Sequence, residues 1–174
     1  GSLAKRIPTE WEQKLGETVY EQMQVKHRFI ENEELKNTLD KITQPLINSI
    51  DSQRYQFKFF ILDEDSLNAF AIPGGYIFIH SGLLLKAESV EEVLGVVAHE
   101  LAHITQMHGM RKLIETAGVM IVAQALVGDI GGLLGALARN APLLLNQKFS
   151  RDLERDADDE GWGYINKAHI NPRG

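Results

Sequence analysis

The chain has 174 residues, 44% of them hydrophobic, and a formal net charge of -6, which suits one domain with its own core over residues 1–174 and gives no electrostatic footprint for nucleic acid. It contains no cysteine, so disulfides, thiolate metal sites and cysteine nucleophiles are excluded, and any metal must be held by nitrogen and oxygen. Gly1-Ser2 reads as a cloning remnant. No charged segment followed by an apolar core marks a signal peptide, which leaves export open. Asn171-Pro172-Arg173-Gly174 follows a helical stretch so abruptly that the natural protein is expected to continue.

Residues 9–28 read as a helix opened by Pro8-Thr9. Residues 32–50 read as a second, with Leu35, Leu39, Ile42, Leu46, Ile47 and Ile50 at helical spacing, and Pro45 is expected to bend or divide it. Both are expected to serve as scaffold over the core. From Tyr55 to Leu62 alternating positions and aromatic content predict a strand. Asp63-Glu64-Asp65-Ser66 turns the chain. Asn68 to Gly75 follows as a shaped turn, because Pro73 lacks a donor and Gly74 and Gly75 adopt angles that other residues resist. A second strand runs from Tyr76 to His80. An ordinary hairpin connection accounts for this segment by itself. Beside a metal site, it becomes a candidate edge for binding an extended peptide by strand addition, through Gly74, Gly75, Tyr76, Ile77 and Phe78.

Ser81 to Lys86 predicts a short helix. Ser89-Val90-Glu91-Glu92 fits a capping box, with Ser89 accepting from the amide of Glu92 and Glu92 reaching back, so a longer helix begins at about residue 90. Val93, Leu94, Val96, Val97, Ala98, Leu101 and Ile104 make it apolar on nearly all sides, as for a helix through the middle of a domain. Its third turn carries His99-Glu100-Leu101-Ala102-His103, an H-E-x-x-H pattern. Histidines four apart project to one side, close enough to share a metal ion, and the glutamate between them is placed to reach a water on that metal. Two hydrogen-bonded core histidines with a chance glutamate would give the same short pattern, so the surroundings decide. On a continuing helix His108 points well away from this pair and reads as a surface or rim residue.

From Thr116 to Ala138 the chain is apolar and glycine-rich, interrupted by Asp129. Two short helices joined near Gly128 to Gly132 fit it better than a membrane span, since charge is costly at a bilayer centre. The wider segment 116–148 is open as a lid, a packing element or a membrane contact. Ser150 to about Lys167 predicts a last helix with Ser150 as N-cap. Glu154 and Asp158 share one of its sides, while Leu153, Ala157, Gly161 and Tyr164 can face the protein. Alone, these acids fit solvated surface carboxylates paired with Arg151 or Arg155.

A catalytic zinc takes three protein ligands and keeps a fourth position for water. One familiar third ligand is the last histidine of H-E-x-x-H-x-x-G-x-x-H, which needs glycine where this chain has Gln106 and histidine where it has Gly109. Another is a glutamate from a later helix. Ala98 to His103, then Ser150-Arg151-Asp152-Leu153-Glu154-Arg155-Asp156-Ala157-Asp158, preceded by Asn68 to Gly75, resemble the HtpX and CaaX-prenyl-protease-type family of zinc metalloendopeptidases, within the gluzincins. The resemblance covers roughly residues 10–174. It implies an α+β fold, mainly helical and zincin-like, with a small sheet or hairpin beside the H-E-x-x-H helix. It also implies one zinc per chain on His99, His103 and Glu154, with Glu100 as the catalytic base and Asp158 orienting a ligand histidine. The strand Tyr76 to His80 would border the cleft, and the substrates would be unfolded or extended protein segments. The absence of long apolar spans is similar to the soluble BepA-like branch. That implies protein quality control in the periplasm or cell envelope, with association at the membrane periphery or with an envelope protein. A zinc-binding chaperone-like or lid-capped latent protein is the alternative. No oxyanion donor is evident, and His169 matches no family position.

Overall fold

Among the described residues three α-helices and a three-stranded sheet are built before the H-E-x-x-H helix is reached. A computed structural model describes residues 3–52, 54–118, 127–140, 142–145 and 148–173. After a 3-10 turn at Leu3–Arg6 come α1 (Thr9–Lys26), α2 (Glu33–Asn48), β1 (Lys58–Leu62), β2 (Ala69–Ile72), β3 (Tyr76–His80), α3 (Ser81–Lys86) and α4 (Val90–Thr105). Then follow α5 (His108–Ala117), α6 (Ile130–Arg139), α7 (Pro142–Leu145) and α8 (Arg151–Lys167). The α+β architecture agrees with the sequence, as do α3 and β3 to the residue. Pro45 does not divide α2: it lies near the end of the helix, and the Ser49 amide still donates to its carbonyl at 3.2 Å. β1 begins only at Lys58, because Tyr55 turns its hydroxyl to Glu12 instead, donating at 2.9 Å.

The sheet order is β1-β3-β2, with β3 parallel to β1 and antiparallel to β2. β3 is therefore the central strand. Ile77 and Ile79 face a core shared with Leu94, Val97, Ala98 and Leu101 of α4, while Tyr76 and Phe78 face a second core with Leu15, Val19 and Met23 of α1. This corrects the expectation that Gly74, Gly75, Tyr76, Ile77 and Phe78 form a peptide-binding edge. A strand apolar on both faces needs cover above and below and neighbours on either side. Tyr76, Ile77 and Phe78 are 6%, 0% and 0% exposed. Gly74 and Gly75, at φ 94° and 92°, turn the hairpin against the carbonyls of Glu12 and Gln56. The segment read as a turn contains β2, and β2 takes the edge.

The outer side of β1 is closed by Phe29 and Ile30, through the Phe29–Leu62 bridge and an Ile30 amide that donates to Ile61 at 2.9 Å. Among the described residues no strand covers the outer side of β2. Its ladder runs through Asn68, Phe70 and Ile72, as the His80 amide donating to the Asn68 carbonyl at 3.0 Å and the β2–β3 register require. The amides and carbonyls of Ala69 and Ala71 consequently point outward.

Ser89 caps α4, accepting from the Glu92 amide at 3.3 Å, while Glu92 reaches back one residue further than expected and accepts from the Glu88 amide at 2.7 Å. Its all-round apolar character is used: α2, the sheet and α8 pack around it. α8 packs against it at Gly161, which lies against the backbone of Ala98 and His99. Of the two helices expected between Thr116 and Ala138, joined near Gly128 to Gly132, α6 supplies the second, while residues 119–126 of the first lie outside the described residues. Among the described residues no helix is long and apolar enough to cross a membrane.

Candidate metal centre

α4 sets His99 and His103 one turn apart, with their Nε2 atoms 2.9 Å from each other. α8 brings Glu154 across from them, its Oε2 3.3 Å from His99 Nε2 and its Oε1 3.8 Å from His103 Nε2. A tetrahedral zinc about 2.1 Å from each donor would hold the donors roughly 3.4 Å apart, inside this spread. The orientation of His99 also fits a cation. Its Nδ1 lies 2.8 Å from Asp158 Oδ1, an acceptor-only group, so Nδ1 donates there and Nε2 is the ring atom turned toward Glu154. Burial first, then the neighbouring His99 and His108, push His103 down to about 3, so it is a neutral imidazole, the form that ligates metals. Phe149 stacks on the His103 ring at 4.2 Å and shields it.

Glu100, between the two histidines on α4, turns its carboxyl toward β2. Loss of solvent around its carboxyl raises it to about 8, against the pull of a hydrogen bond from the Ala71 amide and with a smaller push from Glu154. That amide is one of the outward-facing groups of the β2 edge, so the edge and the glutamate meet. Beside His99 and Asp158 a cleft of about 670 Å³ opens between α4 and α8, with Val96, Trp162, Ile165 and Pro172 on its apolar walls.

His99, Glu100, His103, Glu154 and Asp158 thus come together, and Asp158 touches His99. Gly74 to Phe78 do not join them. His108 departs from expectation: it is 0% exposed, with Nδ1 2.9 Å from His103 Nδ1 and Nε2 3.0 Å from Asp156 Oδ2. The helix does not continue. Met107 takes a left-handed φ of 57°, and α5 sets off in a new direction that returns His108 to the pair. Nothing in the identity of Met107 signals this. Asp156 and the Ala71 amide were missed for the same reason, since each matters only through a tertiary contact.

A buried helix bearing two histidines one turn apart, with a glutamate entering from a distant helix and a second glutamate between the histidines, defines a metallopeptidase domain of the two-histidine, one-glutamate kind. The chain belongs to peptidase family M48, whose model matches residues 33–174. It is similar to a putative beta-barrel assembly-enhancing protease of Vibrio cholerae, with 31% identity over 146 residues, 77% of this chain and 30% of that protein. It is also similar to metalloprotease LoiP of Escherichia coli, with 31% identity over 150 residues, 82% of this chain and 57% of that protein. Mitochondrial metalloendopeptidase OMA1 of Schizosaccharomyces pombe is 30% identical over 119 residues, 67% of this chain and 35% of that protein. The chain spans less than two thirds of the length of each of these relatives.

Proposed function

We propose that this domain is a zinc metalloendopeptidase that hydrolyses unfolded or extended protein segments, with one zinc per chain on His99, His103 and Glu154. The observation that carries the reading is the convergence of those three donors beside a glutamate that faces an outward-pointing strand edge. Zinc at this point would supply Lewis acidity toward the scissile carbonyl and acidify a water. Glu100, between the two histidines and facing the strand edge, takes the proton from the attacking water and returns it to the leaving amine. The outward carbonyls of Ala69 and Ala71 and the outward amide of Ala69 hold the substrate backbone by strand addition, while the Ala71 amide stays with Glu100; this edge replaces Tyr76 to Phe78 in that role. The cleft beside His99 receives a substrate side chain.

Relatives named beta-barrel assembly-enhancing protease support a place in the bacterial cell envelope or periplasm, in protein quality control and in contact with envelope proteins or the membrane periphery. The net charge of -6 offers nothing to nucleic acid. Zinc analysis of the purified protein beside Glu154→Ala tests the ligand set: about one zinc per chain is expected for the wild type and a large loss for the variant, and equal binding would refute it.

A latent, lid-capped form is the second reading, favoured by the packing of α7, with Leu144 1% exposed, against β2. Part of 116–148 lies outside the described residues. Deleting that segment should raise cleavage; unchanged or lower activity with zinc retained would count against a lid.

A further inference from the structure

We propose that Asp156 and His108 form a positioning relay that fixes the tautomer of His103 and so keeps its Nε2 open to a metal. This rests on the metal reading above and goes beyond its ligand set. The Nδ1 atoms of His103 and His108 are 2.9 Å apart, so one must carry hydrogen and the other a lone pair. Asp156 decides which. Its Oδ2 lies 3.0 Å from His108 Nε2, and an ionised carboxylate only accepts, so the hydrogen of His108 sits on Nε2 and its Nδ1 is left as an acceptor. His103 then donates from Nδ1, and its Nε2 presents a lone pair toward His99 and Glu154. The reverse tautomer would aim an N–H at the point where the three donors meet.

The two ligand histidines are thus held by two acids two residues apart on α8. Asp158 reaches His99 directly, at 2.8 Å. Asp156 reaches His103 only through an imidazole. On one continuous helix His108 would lie roughly 140° round from His103 and out of reach, and the left-handed turn at Met107 brings it back. His103 and His108 are 5% and 0% exposed, so water cannot substitute as an acceptor, whereas the Asp156 side chain is 51% exposed. The relay carries the charge of a half-exposed carboxylate to a ligand that is closed off by Phe149 on its face.

A partner of this kind is worth about 10–100-fold in metal affinity when it orients a ligand. The test is zinc affinity by chelator competition on the whole chain, for wild type, His108→Leu, His108→Asn, Asp156→Ala and Glu154→Ala. Melting of the metal-free forms and the absorption spectrum of their cobalt derivatives are measured alongside. In His108→Asn the new amide would place its Oδ1 where the imidazole has Nδ1, so it can still accept from His103. We expect His108→Leu to weaken zinc binding by about 10–100-fold and to alter the cobalt spectrum, His108→Asn to recover much of the loss, and Asp156→Ala to follow His108→Leu more weakly. Binding within twofold of wild type for His108→Leu would overturn the relay, as would His108→Asn binding no better than His108→Leu. If His108→Leu fails to fold, Asp156→Ala decides alone, and wild-type affinity there overturns the relay. Undiminished binding by Glu154→Ala would instead sink the metal reading itself.

Discussion

Gly161 and Gly163 sit two residues apart on α8, and alanine at each gives opposite results if the α4–α8 contact frames the site. A Cβ at Gly161 would meet Ala98 O at 3.0 Å, Ala98 C at 3.1 Å and His99 N at 3.1 Å, all backbone atoms of the metal-binding helix, whereas at Gly163 it would meet nothing within 4 Å. Replacing glycine inside a helix gains about 0.5–1 kcal/mol at either position. Forcing a methyl into a packed contact costs about 1–3 kcal/mol. Helix propensity cancels between the two variants, so Gly161→Ala should be less stable than Gly163→Ala by about 1–3 kcal/mol, at about 2–4 °C of melting temperature per kcal/mol. The relief available is for α8 to move out by a few tenths of an ångström, which carries Asp158 and Glu154 away from His99. Zinc affinity should therefore fall in Gly161→Ala and hold in Gly163→Ala. Thermal and urea melts of both variants, with and without zinc, check this. Gly161→Ala as stable as Gly163→Ala, with unchanged zinc affinity, would refute the reasoning.

Asp158→Ala should lower zinc affinity by about 10–100-fold with little change in metal-free stability, since its side chain is 72% exposed and its one described contact is His99; chelator competition measures it. Glu12 is 1% exposed and accepts from both Arg54 and Tyr55. Glu12→Ala should cost about 3 kcal/mol in a urea melt, the low end for breaking a buried pair, because Arg54 keeps 29% exposure.

The helices and the members of the candidate metal site could be read from the sequence wherever the signal was local. The Ser89 cap, the apolar faces of α4 and the four-residue spacings of His99 with His103 and of Glu154 with Asp158 each act within one helix. What could not be read depends on contacts across the fold. β2 was hidden because Ala69 to Ile72 is short and was dominated by the proline and glycines that follow it. Once β2 exists, β3 cannot be an edge, so one missed four-residue strand moves the edge of the sheet from Tyr76–Phe78 to Ala69–Ile72. His108 was misplaced by a single left-handed residue, Met107, of a type that seldom adopts that angle. Asp156 lies two residues from Glu154, roughly 200° round the helix, which looks like solvent until α5 turns back to meet it.

If Glu100 does the proton chemistry at a metal held by His99, His103 and Glu154, its amide variant keeps the metal and loses the reaction. Zinc content and cleavage of an unfolded protein, compared between wild type and Glu100→Gln, test it most directly. About one zinc per chain is expected in both proteins, and cleavage in the wild type alone. A Glu100→Gln variant that retains zinc and cleaves at the wild-type rate would contradict it.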